Sequence, residues 1–248
     1  MTALVTGAGR GIGRAVAISL SHAGYQVALT ARSADELAQT ASDCPQQTLV
    51  IPADITDPAA PGRIFDQVER EWGPANVLVL NAGSARSARL EKTTDADWQA
   101  MLELNLTAPF RCVRRAVPAM KAAGSGRIVV VASTAARVGE PYIAAYTASK
   151  HGVLGLVRSA AAELAGSGIT VNAVCPGYVD TPMTEGSVQA IVDKTGRSAE
   201  EARQLLAAKQ PIGRLITVEE VADAVLFCVR SEAMSGQAIN VDGGAVQS

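Results

Sequence analysis

Hydrophobic and polar positions along this chain alternate between two textures. Short, nearly unbroken apolar runs, Thr2 to Thr6, Gln26 to Thr30, Leu49 to Ala53, Asn76 to Leu80, Arg127 to Ala132, Ile169 to Val174 and Gln237 to Val241, are bounded by Gly, Pro, Asn, Asp or Ser. Runs of that length predict about seven strands, each buried on both faces as in a parallel sheet. Between them lie longer stretches rich in Ala, Val, Ile and Leu, which predict helices packed against that sheet. Helix starts are marked as well. Ser33-Ala-Asp-Glu36, Ser198-Ala-Glu-Glu201 and Thr217-Val-Glu-Glu220 carry the capping-box pattern, and Thr94 to Asp97 opens a long helix. Another helix is expected from about Pro58 to Trp72.

Composition narrows the class. A hydrophobic share of 48% with only 4% aromatic residues implies a core of Ala, Val, Leu and Ile. Nothing marks a boundary, so residues 1–248 are expected to form a single domain. A net charge of −2, from 22 basic and 24 acidic residues, gives no electrostatic footprint for nucleic acid or an anionic membrane. No run approaches the roughly 18 apolar residues of a membrane span, and Met1 leads directly into a strand, so a soluble, cytoplasmic protein is expected. Cys44, Cys112, Cys175 and Cys228 are far apart, without a C-x-x-C, and read as small buried side chains; with only His22 and His151, no metal site is expected.

Three stretches carry chemistry. The first strand runs into Gly7-Ala-Gly-Arg-Gly-Ile-Gly13 and then a helix. That order makes a phosphate cradle, because glycine permits positive φ and close backbone approach while a helix N-terminus offers free N–H groups. The spacing is T-G-x-x-x-G-x-G from Thr6 to Gly13; a G-x-G-x-x-G fingerprint would need its third glycine at Ile12 or Arg14. Next, Tyr146 and Lys150 lie four residues apart on one helix face, about 5–6 Å between Cβ atoms. An ammonium beside a phenol favours the phenolate and draws its pKa from about 10 toward working pH. Alone, such a pair also fits a solvated helix face. Ser133 follows the Arg127–Ala132 strand and so stands at a carboxyl end, where open α/β sheets bind ligands. Finally, Pro109 lies four residues after Asn105, and its missing N–H predicts a helix kink with the Asn105 carbonyl freed for a water.

Thr6-Gly7-x-x-x-Gly11-x-Gly13, Asn81-Ala82-Gly83, Asn105, Ser133, Tyr146-x-x-x-Lys150 and Pro176-Gly177 stand in the order and spacing of the short-chain dehydrogenase/reductase family, which the whole chain resembles. The resemblance implies a single doubly wound, Rossmann-type α/β parallel sheet with helices on both faces, a nicotinamide cofactor, and hydride transfer between it and a carbonyl or alcohol. It implies that Gly7, Arg10, Gly11, Ile12 and Gly13 cradle the pyrophosphate, that Asp54 and Ile55 flank the adenine, and that Asn81, Ala82 and Gly83 lie along the ribose. Val179 and Thr181, after Pro176-Gly177, would hold the nicotinamide carboxamide, and Asn105, Ser133, Tyr146 and Lys150 would form the catalytic set, with the Asn105 carbonyl holding a relay water. A dimer or tetramer is also implied. At the second strand's end, where an NAD site usually places a carboxylate, stand Ala31, Arg32 and Ser33. Arg32 and Arg10 can meet a 2′-phosphate with charge-assisted hydrogen bonds of roughly 1.5–3 kcal/mol each, which favours NADPH, with NAD as the alternative.

For the substrate, Thr134 to Ile143 and a polar segment at 183–210 are expected to line and cover the pocket. Ala135, Ala136, Ala144 and Ala145 are small and Tyr142 is aromatic, which suits a moderately apolar ketone; Met183 is a further candidate, and Arg86 is either an anchor for an anion or a solvated loop cation. The pattern is similar to 3-oxoacyl-thioester reductases and polyketide-type ketoreductases. The alternatives are an NAD-dependent 3-hydroxyacyl-CoA or small secondary-alcohol dehydrogenase, and a non-catalytic nucleotide-sensing protein on the same fold. Carrier-protein reductases typically carry a basic residue just before the fifth strand, whereas Lys121-Ala-Ala-Gly-Ser-Gly126 is nearly bare, so a CoA ester or free ketone is equally compatible.

Overall fold

In the computed structural model, which describes residues 1–247, the apolar runs become seven strands. They are β1 (Thr2–Thr6), β2 (Gln26–Ala31), β3 (Thr48–Pro52), β4 (Val77–Leu80), β5 (Gly126–Val131), β6 (Ile169–Pro176) and β7 (Ala238–Val241). All pair in parallel, in the order β3-β2-β1-β4-β5-β6-β7. This is the doubly wound Rossmann-type sheet expected from the sequence. The order reverses beside β1, whose neighbours are β2 and β4, and such a reversal opens a ligand crevice at the carboxyl ends of the strands.

Helices α1 (Gly11–His22), α2 (Ala34–Ser42), α3 (Ala60–Trp72), α5 (Ala108–Ala123), α6 (Ala144–Glu163) and α9 (Val218–Arg230) cover the sheet, α4 (Asp95–Leu102) packs on α6, and α7 (Pro182–Thr195) and α8 (Ala199–Ala207) stand apart. Side chains alternate across a strand, so each strand feeds both layers. Leu4, Leu78, Ile128 and Val130 pack with Ile64, Cys112, Met120, Val153 and Val157 of α3, α5 and α6. Ala3, Val5, Val77, Val79 and Val129 pack with Val16, Leu20, Leu37, Val221 and Val225 of α1, α2 and α9. Burying one such Leu or Val is worth roughly 1.5–3 kcal/mol, and the buried polar side chains of the strands are confined to Thr2, Thr6, Thr30, Thr170 and Asn172.

The predicted caps form with one exception. Ser198 and Thr217 close full capping boxes, and the Thr94 hydroxyl accepts from Asp97 N. Ser33 accepts from Glu36 N at 3.2 Å, but the Glu36 side chain does not return the bond. Its carboxylate turns toward Gly9 and Arg10 instead, with a Glu36 Oε1 to Arg10 Nη1 distance of 3.7 Å. Helices α7 and α8 share a small core of Val188, Ala202, Leu206 and Leu215, and Arg203 of α8 pairs with Asp180 and Glu185. No helix among the described residues is long and apolar enough to cross a membrane.

Candidate functional site

The crevice begins where β1 ends. Gly7 has φ of 65°, a region that favours glycine, and a Cβ on Gly13 would stand 2.1 Å from Gly7 O and 2.4 Å from Asn81 Nδ2. Only hydrogen fits at Gly13, so the start of α1 presses against the turn. Arg10 is the α1 N-cap and its side chain caps nothing, which leaves the first-turn N–H groups facing outward for an anion. Asn81 locks the turn to β4: its Nδ2 donates to Thr6 O and Gly7 O, each at 3.1 Å, while Thr6 Oγ1 accepts from the N–H groups of Asn81 (3.0 Å) and Ala82 (3.1 Å). The residues present therefore fit a bound pyrophosphate.

Next to the cradle, Arg32 is exposed, as is much of the Arg10 side chain. An exposed ion pair such as Arg10–Glu36 is worth little, so a phosphate dianion can compete for the guanidinium. Asp54 accepts from the Thr56 hydroxyl (2.7 Å) and from Thr56 N (2.9 Å). Those bonds, with a weaker pull from Arg32, hold its carboxyl below the ordinary range. Ile55 is buried in the α3 side of the core.

Past β5 and β6 the remaining candidates converge. Ser133 Oγ accepts from Ala135 N at 3.1 Å, and the Ser133 side chain acts on the Tyr146 phenol, drawing its pKa down. Lys150 is 5% exposed; its Nζ donates to Val131 O at 3.0 Å and lies 5.7 Å from the Tyr146 ring centre. The electrostatic balance differs from the expected one. Burial raises the Tyr146 phenol above its ordinary value; Ser133 pulls it down, and Tyr178, Cys175 and Glu140 push it further up. The group brought toward working pH is Lys150 itself, which burial lowers to about 8. The ammonium was expected to tame the phenol, but it is not among the groups that move the Tyr146 pKa, and loss of water around the phenol sets the direction.

The kink expected before Pro109 is instead a π-helical turn over Glu103–Thr107, and Pro109 sits in the first turn of α5, where its missing N–H is tolerated. The wider turn brings Asn105, 1% exposed, into the site. Its Oδ1 accepts from Ser84 N (3.2 Å), and its Nδ2 donates to Ser84 O (3.0 Å) and Ser149 Oγ (3.2 Å). Ser149 Oγ in turn donates to Tyr146 O at 2.7 Å, tying Asn105 to the helix that carries Tyr146 and Lys150. A Cβ on Gly83 would lie 3.0 Å from Asn105 Oδ1 and 3.7 Å from Lys150 Nζ, so Gly83 is the gap across which these groups meet.

After β6, Gly177 N donates to Val241 O (3.0 Å), Val179 is buried, and Thr181 Oγ1 donates to Val179 O (3.4 Å). A Cβ on Gly11 would stand 3.3 Å from the Thr181 methyl, so the cradle and the turn after Pro176 share one wall.

The substrate candidates are less united. A cavity of about 230 Å³ is bounded by Arg86, Ala88, Asp97, Met101, Tyr142 and Ala145 among others, but Thr134, Ile143 and Met183 do not line it. Arg86 forms an ion pair with Asp97, and its side chain is 64% exposed. Tyr142 has φ of 71°, costly for a bulky residue, and is held by Ala88 N donating to its carbonyl (2.8 Å). Sequence reasoning missed Ser149, which looks like any helix serine, and a group formed by Glu140, Tyr178, Lys209 and Gln210, described below.

The short chain dehydrogenase family model matches residues 1–191. The chain belongs to the short-chain dehydrogenase family. It is 41% identical over 248 residues to cis-4-hydroxycyclohexanecarboxylate dehydrogenase of Sinomonas cyclohexanicum, covering 98% of this chain and 95% of that one. It is 38% identical over 250 residues, with the same coverage, to a putative ketoacyl reductase of Streptomyces coelicolor. Among solved structures it superposes on an actinorhodin polyketide ketoreductase with NADPH at a TM-score of 0.95, with 37% identity, covering 98% of this chain and 96% of that one. This short-chain dehydrogenase is therefore an oxidoreductase by family, and its convergent Ser, Tyr, Lys and Asn lie where the sheet order opens the crevice.

Proposed function

We propose that this short-chain dehydrogenase, one domain over 1–248, reduces a ketone to a secondary alcohol with NADPH. The observation that carries the reading is the convergence of Ser133, Tyr146, Lys150 and Asn105 beside the Gly7–Gly13 cradle. The reduced nicotinamide supplies the hydride when bound. Ser133 and Tyr146 hold the carbonyl oxygen, and Tyr146, whose raised pKa keeps its proton at neutral pH, donates that proton as charge builds on the oxygen. Lys150 at about 8 is poised to restore it, with the Asn105 carbonyl holding the water that connects Lys150 to solvent. Gly7, Arg10, Gly11, Ile12 and Gly13 bind the pyrophosphate, Arg10, Arg32 and Ser33 the 2′-phosphate, Asp54 and Ile55 the adenine, and Asn81, Ala82 and Gly83 the ribose. Pro176, Gly177, Val179 and Thr181 bind the nicotinamide end.

The ketone is moderately apolar, a 3-oxoacyl thioester or a free ketone of similar size, enclosed by Thr134, Tyr142, Ile143 and Met183 and covered by residues 183–210. A second reading, NAD-dependent oxidation of a small secondary alcohol, draws support from Glu36, whose carboxylate lies against Gly9 and Arg10 where a ribose hydroxyl would want an acceptor. Exposed Trp98 and Phe110 on α4 and α5, and Phe227 on α9, support a homodimer or homotetramer. Tyr146→Phe tests the mechanism: turnover is lost almost entirely while NADPH affinity stays within a few-fold, and substantial residual turnover would remove Tyr146 from the role of proton donor.

A further inference from the structure

Tyr178, in the turn after β6, is gripped twice by one dipeptide far along the chain. Its N–H donates to Gln210 Oε1 (2.9 Å) and its carbonyl accepts from Gln210 Nε2 (3.2 Å), so the side-chain amide pairs with this residue as a neighbouring strand would. Gln210 Nε2 also donates to Arg214 O (2.7 Å), and the side chain is 2% exposed. A Cβ on Gly177 would stand 2.2 Å from Gln210 Oε1; glycine is what admits the amide so close to the backbone.

The ring is held separately. The Tyr178 hydroxyl donates to Glu140 Oε2 (3.0 Å), and Lys209 Nζ donates both to Glu140 Oε2 (3.1 Å) and to the Tyr178 oxygen (3.1 Å), lying 5.1 Å from the ring centre. Burial works against the Lys209 ammonium, yet Tyr178 and Glu140 hold its pKa above the ordinary value. Three separate stretches are thereby joined: the loop before α6 through Glu140, the turn after β6 through Tyr178, and the α8–α9 connection through Lys209 and Gln210.

A buried amide whose groups are all spent on backbone has no capacity left for substrate, and leaving such backbone groups unpaired costs about 1–3 kcal/mol each. Its work is to fix the turn. We propose that Lys209 and Gln210 are positioning residues that set the Gly177–Val179 turn over the nicotinamide end of the cofactor, an inference resting on the NADPH reading above. The adenosine end is served by other stretches, the glycine cradle and Arg32, so loosening the clamp acts on one end of the cofactor only.

The test compares NADPH with 2′,5′-ADP, which carries the adenosine phosphates but no nicotinamide, by equilibrium titration of the full chain. Lys209→Met, at a half-exposed side chain, leaves folding intact; Gln210→Glu keeps the acceptor and loses the donors, and its folding is followed by thermal melting. Both variants are expected to weaken NADPH by about tenfold, equivalent to one 1.4 kcal/mol step, while 2′,5′-ADP binds as in the parent. Equal weakening of both ligands marks a general structural role and overturns the inference, as does unchanged NADPH binding in Lys209→Met. A parent protein that binds neither ligand defeats the NADPH reading itself, and the clamp's proposed purpose with it; a parent that binds both while the variants fail to separate them defeats the clamp alone.

Discussion

Lys150 offers the sharpest quantitative consequence of the structure. Its ammonium is 5% exposed, has one protein acceptor in Val131 O, and titrates at about 8, against the usual 10.5. A lysine depressed by burial releases its proton earlier in the folded state than in the unfolded state. Between those two values the unfolded chain binds more protons, so stability must rise with pH there. The charge costs the fold on the order of 3 kcal/mol at neutral pH and roughly half that near pH 9.5. Lys150→Met keeps the length of the side chain and removes the titration. The hydrogen bond to Val131 O is lost in the variant at every pH and drops out of the comparison between pH values. Urea unfolding followed through Trp72 and Trp98, at fixed protein concentration, should therefore show the parent gaining about 2 kcal/mol relative to Lys150→Met between pH 7 and about pH 9.5. The variant should also be inactive, so a functional group is being retained at a cost in stability. Parallel stability curves for the two proteins would refute a depressed Lys150 and with it the picture of a proton reservoir near working pH.

Two further outcomes follow from the cradle and its edge. At Gly13 a methyl group would meet Gly7 O at 2.1 Å, whereas real contacts of this kind stay above 3.0 Å, so Gly13→Ala must push α1 back by about 0.9 Å. Overpacking of that size costs roughly 1–3 kcal/mol and breaks the anion seat; melting should fall by several degrees and NADPH affinity should drop sharply, and a variant that melts and binds like the parent contradicts the cradle. Arg32→Ala should lower NADPH affinity by about 10- to 150-fold, the equivalent of one charge-assisted hydrogen bond, and leave NADH affinity nearly unchanged; equal losses for the two would separate Arg32 from the 2′-phosphate.

The sheet was legible because its signals are local and periodic: a run such as Val77 to Leu80 has no polar face to present, and only a doubly covered strand accommodates it. The glycine cradle was legible for a related reason, since Gly7 and Gly13 record backbone geometry directly. Side-chain networks between distant stretches left no such trace. Asn105 was visible through Pro109, yet its bonds to Ser84 and Ser149, 21 and 44 residues away, depend on a π turn that the pattern does not announce. Tyr178 and Gln210 are 32 residues apart, and a polar glutamine among polar neighbours gives no hint that it is buried. The Ser33 cap shows the same limit, because Glu36 had a competing place beside Gly9 and Arg10. The direction of the Tyr146 shift was misjudged because spacing reveals the neighbouring charge and not the depth of burial.

The most direct measurement is loss of NADPH absorbance when the purified protein is offered 3-oxoacyl-CoA esters, diketones, cyclic ketones and aldehydes, run beside NADH and beside Tyr146→Phe. The account predicts NADPH-dependent consumption with an uncharged ketone or thioester that disappears in Tyr146→Phe. Faster NAD-dependent oxidation of alcohols, or consumption that survives the loss of the Tyr146 hydroxyl, would contradict it.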